Sequence, residues 1–501
     1  MSIRLPSNPA LLAELTLLIA AHHPLWAIES VEEDRVEALL WDLAERAGLP
    51  FFSWSPVTGL VRQGPDGGRP LDTQSIVRCL AFIEQANTEA IFHLRGMTRG
   101  LDDLEATARV KEIYRRYFQH RGTVVISGAE IELSKDLEPL FDHLELPPPG
   151  PEEIHQFVTG VLRDVARKRP VHVELDDVGV SELLEGLHGL SFFDIRKIIT
   201  RAVVDDGRLS REDLPLVLAA KRRIIERSGV LEFFPHQHTM DDIAGLDTLK
   251  AWLRKRRRAF ADPGAAASFG LEPPKGLLLI GVQGCGKSLS AKAVAAEWKL
   301  PLVRLDPSNL YQKFFGESEK NFRRAIRTAE SMAPVVLWID EIEKALGQGD
   351  NDGGTSQRVF GTFLAWLQEK KANVFVIATA NDISRLPPEL LRKGRFDEIF
   401  FVDLPGPAAR TQVFEVHLRR RSRDPSLFDL PALAAASDGF SGAEIEQAIV
   451  SALYTAFNEE RPLTTELLLA ELRTTRPMSV TMAEKIDGLR AWATERAVHA
   501  D

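Results

Sequence analysis

Short apolar runs alternate along this chain with stretches whose apolar positions recur at helical spacing, the pattern of buried strands separated by amphipathic helices. In the second half the runs Leu277–Ile280, Leu302–Leu305, Val335–Ile339 and Val374–Thr379 predict strands, each followed by polar or glycine-containing residues. Ser290 through Trp298 reads as a helix. Strands alternating with helices predict βαβ units and a parallel sheet, with ligands at the carboxyl ends of the strands. From about residue 406 the strand pattern is lost and helices are predicted to the end.

Laid on the second half, the first half repeats it. Residues 124–131, Val-Val-Ile-Ser-Gly-Ala-Glu-Ile, read like 375–382, Phe-Val-Ile-Ala-Thr-Ala-Asn-Asp. Phe141-Asp142 before a proline-rich stretch at 146–151 echoes Phe396-Asp397 before Pro405-Gly406-Pro407. Gly189-Leu190-Ser191 echoes Gly439-Phe440-Ser441. The copies keep one order, which predicts a tandem duplication of an α/β unit with a helical lid. The expected domains are 1–150, an α/β unit; 151–228, its lid; 229–405, a second α/β unit; and 406–501, the second lid.

Chemistry enters at Gly281-Val282-Gln283-Gly284-Cys285-Gly286-Lys287-Ser288, a G-x-x-x-x-G-K-S turn between a predicted strand and a predicted helix. Gly281, Gly284 and Gly286 let backbone N–H groups turn inward as an anion nest, above a helix N-terminus. Lys287 is expected to reach the outer phosphates of a nucleotide, and the Ser288 hydroxyl to be one ligand of Mg²⁺. Asp340 and Glu341 follow the strand at 335–339; the first would complete the Mg²⁺ shell and the second orient or deprotonate water. Asn381, after the next strand, could hold that water, or simply form a turn. Arg392 and Arg395 could stabilise charge on a transferred phosphoryl group, in cis or in trans, or make surface ion pairs. The first copy has none of this. Its equivalent turn reads Ile28-Glu29-Ser30-Val31-Glu32-Glu33-Asp34-Arg35, where a phosphate would meet like charge. Glu29, Glu32 and Glu33 are expected to form a solvated acidic turn on a scaffold, the alternative being a site for something cationic.

Composition narrows the picture. A net charge of −10 gives no general attraction to nucleic acid or anionic lipid. The basic run Arg254–Arg258 reads as a solvated helix face or subunit contact. Two cysteines exclude a disulfide framework and a cysteine metal site. Without a signal peptide or a long uncharged apolar segment, no membrane span is predicted, and the cytoplasm is the expected compartment.

From Asp242-Ile243-Ala244-Gly245 through the phosphate loop, Asp340-Glu341, Asn381, Arg392/Arg395 and Gly439-Phe440-Ser441-Gly442-Ala443-Glu444, the order resembles the AAA ATPases over residues 238–455. The first copy most resembles a little-characterised AAA family catalogued as a conserved chloroplast reading frame and found also in bacteria. The resemblance implies a P-loop (RecA-like) α/β sheet with a helical lid, present twice, the first degenerate. It further implies ATP and Mg²⁺ as ligands, with Ser288 and Asp340 at the metal. Glu341, Asn381, Arg392 and Arg395 would be catalytic, the arginines acting on a neighbouring subunit's ATP. Ile243, Ala244, Gly281, Gln283, Gly284, Cys285, Gly286, Lys287, Ser288, Leu289, Gly442 and Ala443 would bind the nucleotide, and Arg358 matches an inter-subunit arginine. Phe314, Phe315 and Gly316 resemble a pore loop, in which aromatics on a glycine hinge grip polypeptide.

The expected function is an ATP-hydrolysing ring motor, a homo-oligomer and specifically a hexamer, that remodels or threads protein clients. An ATP-gated adaptor that assembles on a partner without threading is the alternative. Cys285 stands where the resemblance implies threonine. Beside Lys287 and a helix N-terminus its thiol is expected to have a lowered pKa and to confer oxidant sensitivity.

Overall fold

The structure, a computed structural model, describes residues 9–64, 67–68, 72–86, 88–97, 101, 103–226, 229–234, 239–306, 317–346, 355–392 and 394–501. They form two compact units, residues 1–221 and 222–501.

The N-terminal unit carries β1 (Leu25–Glu29), β2 (Phe51–Ser55), β3 (Gly59–Arg62), β4 (Ile91–Leu94), β5 (Thr123–Gly128) and β6 (Asp142–Glu145). They form one sheet in the order β3-β2-β4-β5-β1-β6, parallel except for the β2–β3 pair. After Pro151 the unit is helical, interrupted by the two-residue pair β7 (His172–Val173) and β8 (Arg208–Leu209).

The strands of the second unit include β9 (Leu231–Phe234), β10 (Gly276–Gly281), β11 (Leu302–Leu305), β12 (Val335–Ile339), β13 (Val374–Ala380) and β14 (Glu398–Val402). Here the order is β14-β10-β13-β12-β11, the same path as β6-β1-β5-β4-β2 in the first unit. Each sheet carries one antiparallel strand on the corresponding edge, β3 against β2 and β9 against β11. The duplication read from the sequence is therefore a duplication of topology.

Both sheets are covered on both faces, which is why the central strands β4, β5, β10, β12 and β13 are buried along their whole length. Leu278 and Ile280 point into one core with the helices Glu317–Ser331 and Thr355–Glu369. Leu277 and Leu279 point into another with helices Asp247–Ala261 and Lys287–Trp298. This is the two-residue alternation of a strand. The lid has its own core, centred on Phe414, Leu433, Ile445, Ile449 and Leu468.

One expectation is corrected. Past residue 406 the chain is not helical to its end: β15 (Val498–His499) adds in parallel to β14, so the sheet has seven strands in the order β15-β14-β10-β13-β12-β11-β9. Two residues hold no period, so pattern could not reveal this strand.

Candidate functional site

Gly281 ends β10 at φ +150°, with Val402 O 2.0 Å from where a Cβ would lie. Only glycine fits so close to the neighbouring strand. Gly284, at φ +77°, sits under the lid, where a Cβ would come within 3.0 Å of the Ala443 Cβ. From there the chain enters helix Lys287–Trp298 directly. Lys287 is buried, and its Nζ donates to Gly281 O at 2.9 Å and Val282 O at 2.7 Å. Burial pushes its pKa down to about 8, against the opposing pull of nearby acidic groups. The loop itself supplies only carbonyls to this ammonium, so its charge is offset only by the carboxylates of Asp340, Glu341 and Glu343 until an anion arrives.

The strand ends β12 and β13 bring the acidic and amide groups to the same place. Ser288 Oγ donates to Asp340 Oδ1 at 2.9 Å, and Thr379 Oγ1 donates to the same oxygen at 2.7 Å. Thr379 Oγ1 also accepts from Glu341 N at 3.0 Å. Asn381 Nδ2 donates to Glu341 Oε1 at 2.9 Å, and Asn381 N donates to Glu343 Oε1 at 2.9 Å. Glu341 stands at φ +50°, a left-handed conformation costly for a non-glycine residue, and Lys344 makes an ion pair with its other carboxylate oxygen. Burial raises the Glu343 pKa, more than the Asn381 N–H lowers it.

Lys287, Ser288, Asp340, Glu341, Thr379 and Asn381 line one cavity of about 240 Å³. A second, of about 330 Å³, shares Gly284, Gly286 and Leu289 with it as wall residues. Its walls include Ile243, Ala244, Leu246, Cys285, Val413 and Val416, with Gly442 and Ala443 from the lid. Ser441 caps the helix Gly442–Asn458, and Ala443 N donates to Gly284 O at 3.0 Å, tying lid to loop. One cavity suits phosphates and the other a flat, largely apolar base. The Ser288 hydroxyl and Asp340 carboxylate are hard oxygen donors on one spot, which fits Mg²⁺ completed by phosphate and water oxygens. Among the described residues no cluster of three or more His, Cys, Asp or Glu forms a self-sufficient metal site.

The Arg392 side chain is exposed and makes no hydrogen bond or ion pair among the described residues, only its backbone N donating to Glu389 O at 3.2 Å, whereas the Arg395 side chain is half-buried and donates to the same carbonyl. Neither lines the cavities. Arg358 lies exposed on helix Thr355–Glu369. Phe314, Phe315 and Gly316 fall outside the described residues. Gln283 and Leu289 line the cavity. Cys285 corrects an expectation: burial pushes its thiol up to about 12, outweighing the pull of Lys287, so it is a poor thiolate.

Sequence reasoning missed several wall residues. On the lid helix Pro407–Arg420, His417 and Arg420 face the base-sized cavity. Arg420 pairs with Asp242 at 3.1 Å, and burial lowers the His417 pKa despite Glu446. Their spacing is ordinary helix chemistry with no motif. Glu343 and Lys344, by contrast, follow Asp340-Glu341 directly and were open to notice.

The acidic turn of the first unit is also corrected: its glutamates are internally satisfied. Glu29 accepts from Ile131 N at 3.2 Å, Glu32 from Phe192 N at 2.6 Å and Glu33 from Gly96 N at 2.6 Å. Arg35, 4% exposed, donates to Pro147 O at 2.7 Å and lies between Glu32 at 3.6 Å and Glu153 at 3.5 Å. Arg95 stands at the end of β4, where the second unit has Asp340, and pairs with Asp34 at 2.8 Å and Glu37 at 2.5 Å. Glu32 and Arg35 join sheet to lid where the second unit keeps its cleft.

Comparison with known proteins follows the same division. Residues 277–404 match the ATPase family associated with various cellular activities (AAA), and 428–468 the AAA+ lid domain. Residues 11–146 and 152–228 match the N-terminal and second domains of SpoVK-like AAA ATPases. The AAA domain-containing protein ycf46 of Pyropia yezoensis is 38% identical over 486 residues, 96% of this chain and 97% of that protein. That of Trieres chinensis is 36% identical over 487 residues, 96% of each. The proteasome-activating nucleotidase of Saccharolobus solfataricus is 36% identical over 261 residues, 50% of this chain and 63% of its own. No helix among the described residues is long and apolar enough to cross a membrane.

Proposed function

The chain belongs to the AAA ATPases, within the family of the ycf46 proteins, and on that premise we propose that it is an ATP-hydrolysing motor that assembles into a homo-oligomeric ring, a hexamer, and remodels protein clients. One observation carries the reading: Lys287, Ser288, Asp340, Glu341 and Asn381, from three strand ends, line a single cavity.

In the proposed reaction ATP places its base against Ile243, Ala244 and Val413 and its phosphates on the 281–288 turn. Lys287 gives up Gly281 O and Val282 O for phosphate oxygens, a charge-assisted exchange that restores its ordinary basicity. Ser288 and Asp340 would hold Mg²⁺, which when bound would supply neutralising charge to the phosphate oxygens. Thr379 fixes the Asp340 carboxylate and the Glu341 backbone through one hydroxyl. Glu341 takes the proton of the attacking water while the new O–P bond forms and the bond to the β-phosphate oxygen breaks, with ADP leaving. Asn381, already bonded to Glu341, orients that water.

Exposed Arg392 is the proposed trans donor, stabilising charge in a neighbouring copy's site, which head-to-tail contacts around a closed ring would provide. Arg395, bonded to Glu389 O, would shape the loop that carries it. The likeness to a proteasome-activating nucleotidase supports a protein client.

The test is the mass of Glu341→Gln at low micromolar concentration with and without ATP. Loss of the base leaves ATP bound and uncleaved, so a shift from one chain to six is expected. A variant that binds ATP and stays monomeric would overturn the ring, leaving the ATP-gated adaptor.

A further inference from the structure

Helix Asp247–Ala261 starts without a cap of its own. Leu246 occupies the N-cap position at φ +56°, no side chain of the helix accepts from its first turn, and Gly245 before it is also left-handed at φ +63°. Four N–H groups at a helix start need acceptors. Here two N–H groups of that turn, and one hydroxyl, find acceptors more than two hundred residues away. Asp501 Oδ1 accepts from Leu246 N at 2.5 Å, Ala500 O accepts from Leu249 N at 3.1 Å, and Asp501 O accepts from Thr248 Oγ1 at 2.9 Å.

The capped turn is the wall of the base-sized cavity, which Ile243, Ala244, Leu246 and Asp501 all line. Gly245 is wedged between the two parts: a Cβ there would lie 2.7 Å from Asp501 Oδ1. Two further clamps hold the turn, Lys250 Nζ on Ile243 O at 2.6 Å and Gln412 Oε1 on Gly245 N at 3.0 Å. Gln412 belongs to the lid and Lys250 to the helix itself, so Asp501 is the clamp contributed by the C-terminal segment.

That segment touches the cleft elsewhere. Met478 N donates to Glu444 Oε1 at 2.7 Å, on the first turn of the lid helix Gly442–Asn458. Arg490 donates two nitrogens to Asp403, itself a wall of the cavity, at 2.8 and 3.0 Å. Lys485 lies 3.8 Å from Asp382, the neighbour of Asn381. β15 then fixes the register of Ala500 and Asp501, since Ala500 N donates to Phe401 O at 3.0 Å.

We propose that residues 478–501 form a strap that completes the nucleoside pocket, with Asp501 as the positioning residue that presents the Ile243–Leu246 turn to the base. This rests on the reading that a purine nucleoside triphosphate occupies the cavity. The turn offers the backbone of two consecutive left-handed residues, which relaxes unless its N–H groups stay paired. By linkage, whatever the docked strap adds to nucleotide affinity, bound nucleotide returns as strap stability.

The test compares full-length wild type, Asp501→Ala and Asp501→Asn, each carrying Glu341→Gln, for binding of fluorescent ATP; the same substitutions without it give kcat and KM. Asn keeps an acceptor oxygen for Leu246 N, whereas Ala removes it. Asp501→Ala is expected to weaken ATP binding and raise KM about tenfold at little cost in kcat, with Asn restoring most of the loss. Hydrogen exchange at the Leu246 and Leu249 amides should slow on adding ATP in wild type and respond little in Asp501→Ala. Should Asp501→Ala destabilise the chain, Thr248→Val, which removes only the bond to Asp501 O, should raise KM in the same direction by a smaller factor. Unchanged affinity in Asp501→Ala, or equal losses in Ala and Asn, would overturn the strap. Failure of the wild type to bind ATP would instead overturn the proposed function.

Discussion

Replacing Arg35 by Met tests whether the first unit is a closed relic of a nucleotide cleft. The side chain is 5% exposed, and methionine keeps much of its stem while removing the guanidinium. The hydrogen bond to Pro147 O at 2.7 Å goes, as does the contact with the Phe192 ring at 5.4 Å. More costly is what stays behind. Glu32 and Glu153, 14% and 13% exposed, lose their cation. Glu153 Oε1 has no other partner among the described residues, while Glu32 keeps the Phe192 N–H. Breaking a buried pair by removing one member costs about 3–5 kcal/mol. Burial already raises the Glu32 pKa, so proton uptake offsets part of this and the lower end applies. For a unit of this size that is roughly a 10 °C fall in melting temperature. Calorimetry with and without a non-hydrolysable ATP analogue would assign the transitions, since ligand stabilises only the unit that binds it. The transition that ignores nucleotide should drop and partly recover as the pH is lowered, because the Glu32 carboxyl, whose pKa burial already raises, takes up a proton more readily once its cation is gone. Adding Glu32→Gln should restore some of the loss. A shift below about 2 °C would refute the reasoning, because it would mean that water already solvates both glutamates.

Two further predictions concern the second unit. Lys287 titrates near pH 8 when the loop is empty, so above that pH ATP binding must take up a proton. Affinity should be flat below pH 8 and fall toward tenfold per unit above it, as measured by calorimetry in buffers of different ionisation enthalpy. Arg392→Ala should leave ATP binding unchanged and lower turnover at least a hundredfold. Mixing it with Lys287→Ala chains, whose own sites are empty but whose arginines are intact, should restore part of the turnover if the arginine acts in trans.

The parts of the molecule legible in the sequence are those whose physics is local. The run Leu277–Ile280 and the glycines after it need each other over a dozen residues, and the strand, turn and helix stand where the pattern put them. Duplication was readable because both copies keep the same apolar periods. Three features escaped because their partners are remote. The acidic turn looked solvated since Glu32 gave no sign of Phe192, one hundred and sixty residues on. The charged neighbours of Cys285 point to a lowered pKa, whereas burial, invisible in one dimension, outweighs them. The cap on Leu246 needed a two-residue strand to deliver it.

The rims of the two sheets bear on how these chains meet others. At one rim of the larger sheet stands β15, two residues long; at the opposite rim β9 runs against its neighbours, with Glu232 held to Arg304 at 3.4 Å. The smaller sheet ends in the hairpin strand β3 and in β6, whose sequence Asp-His-Leu-Glu is half acidic. Short, charged or reversed borders are poor templates for a foreign strand. Crowded copies should therefore gather through side-chain surfaces into countable particles, and not by backbone pairing into fibrils.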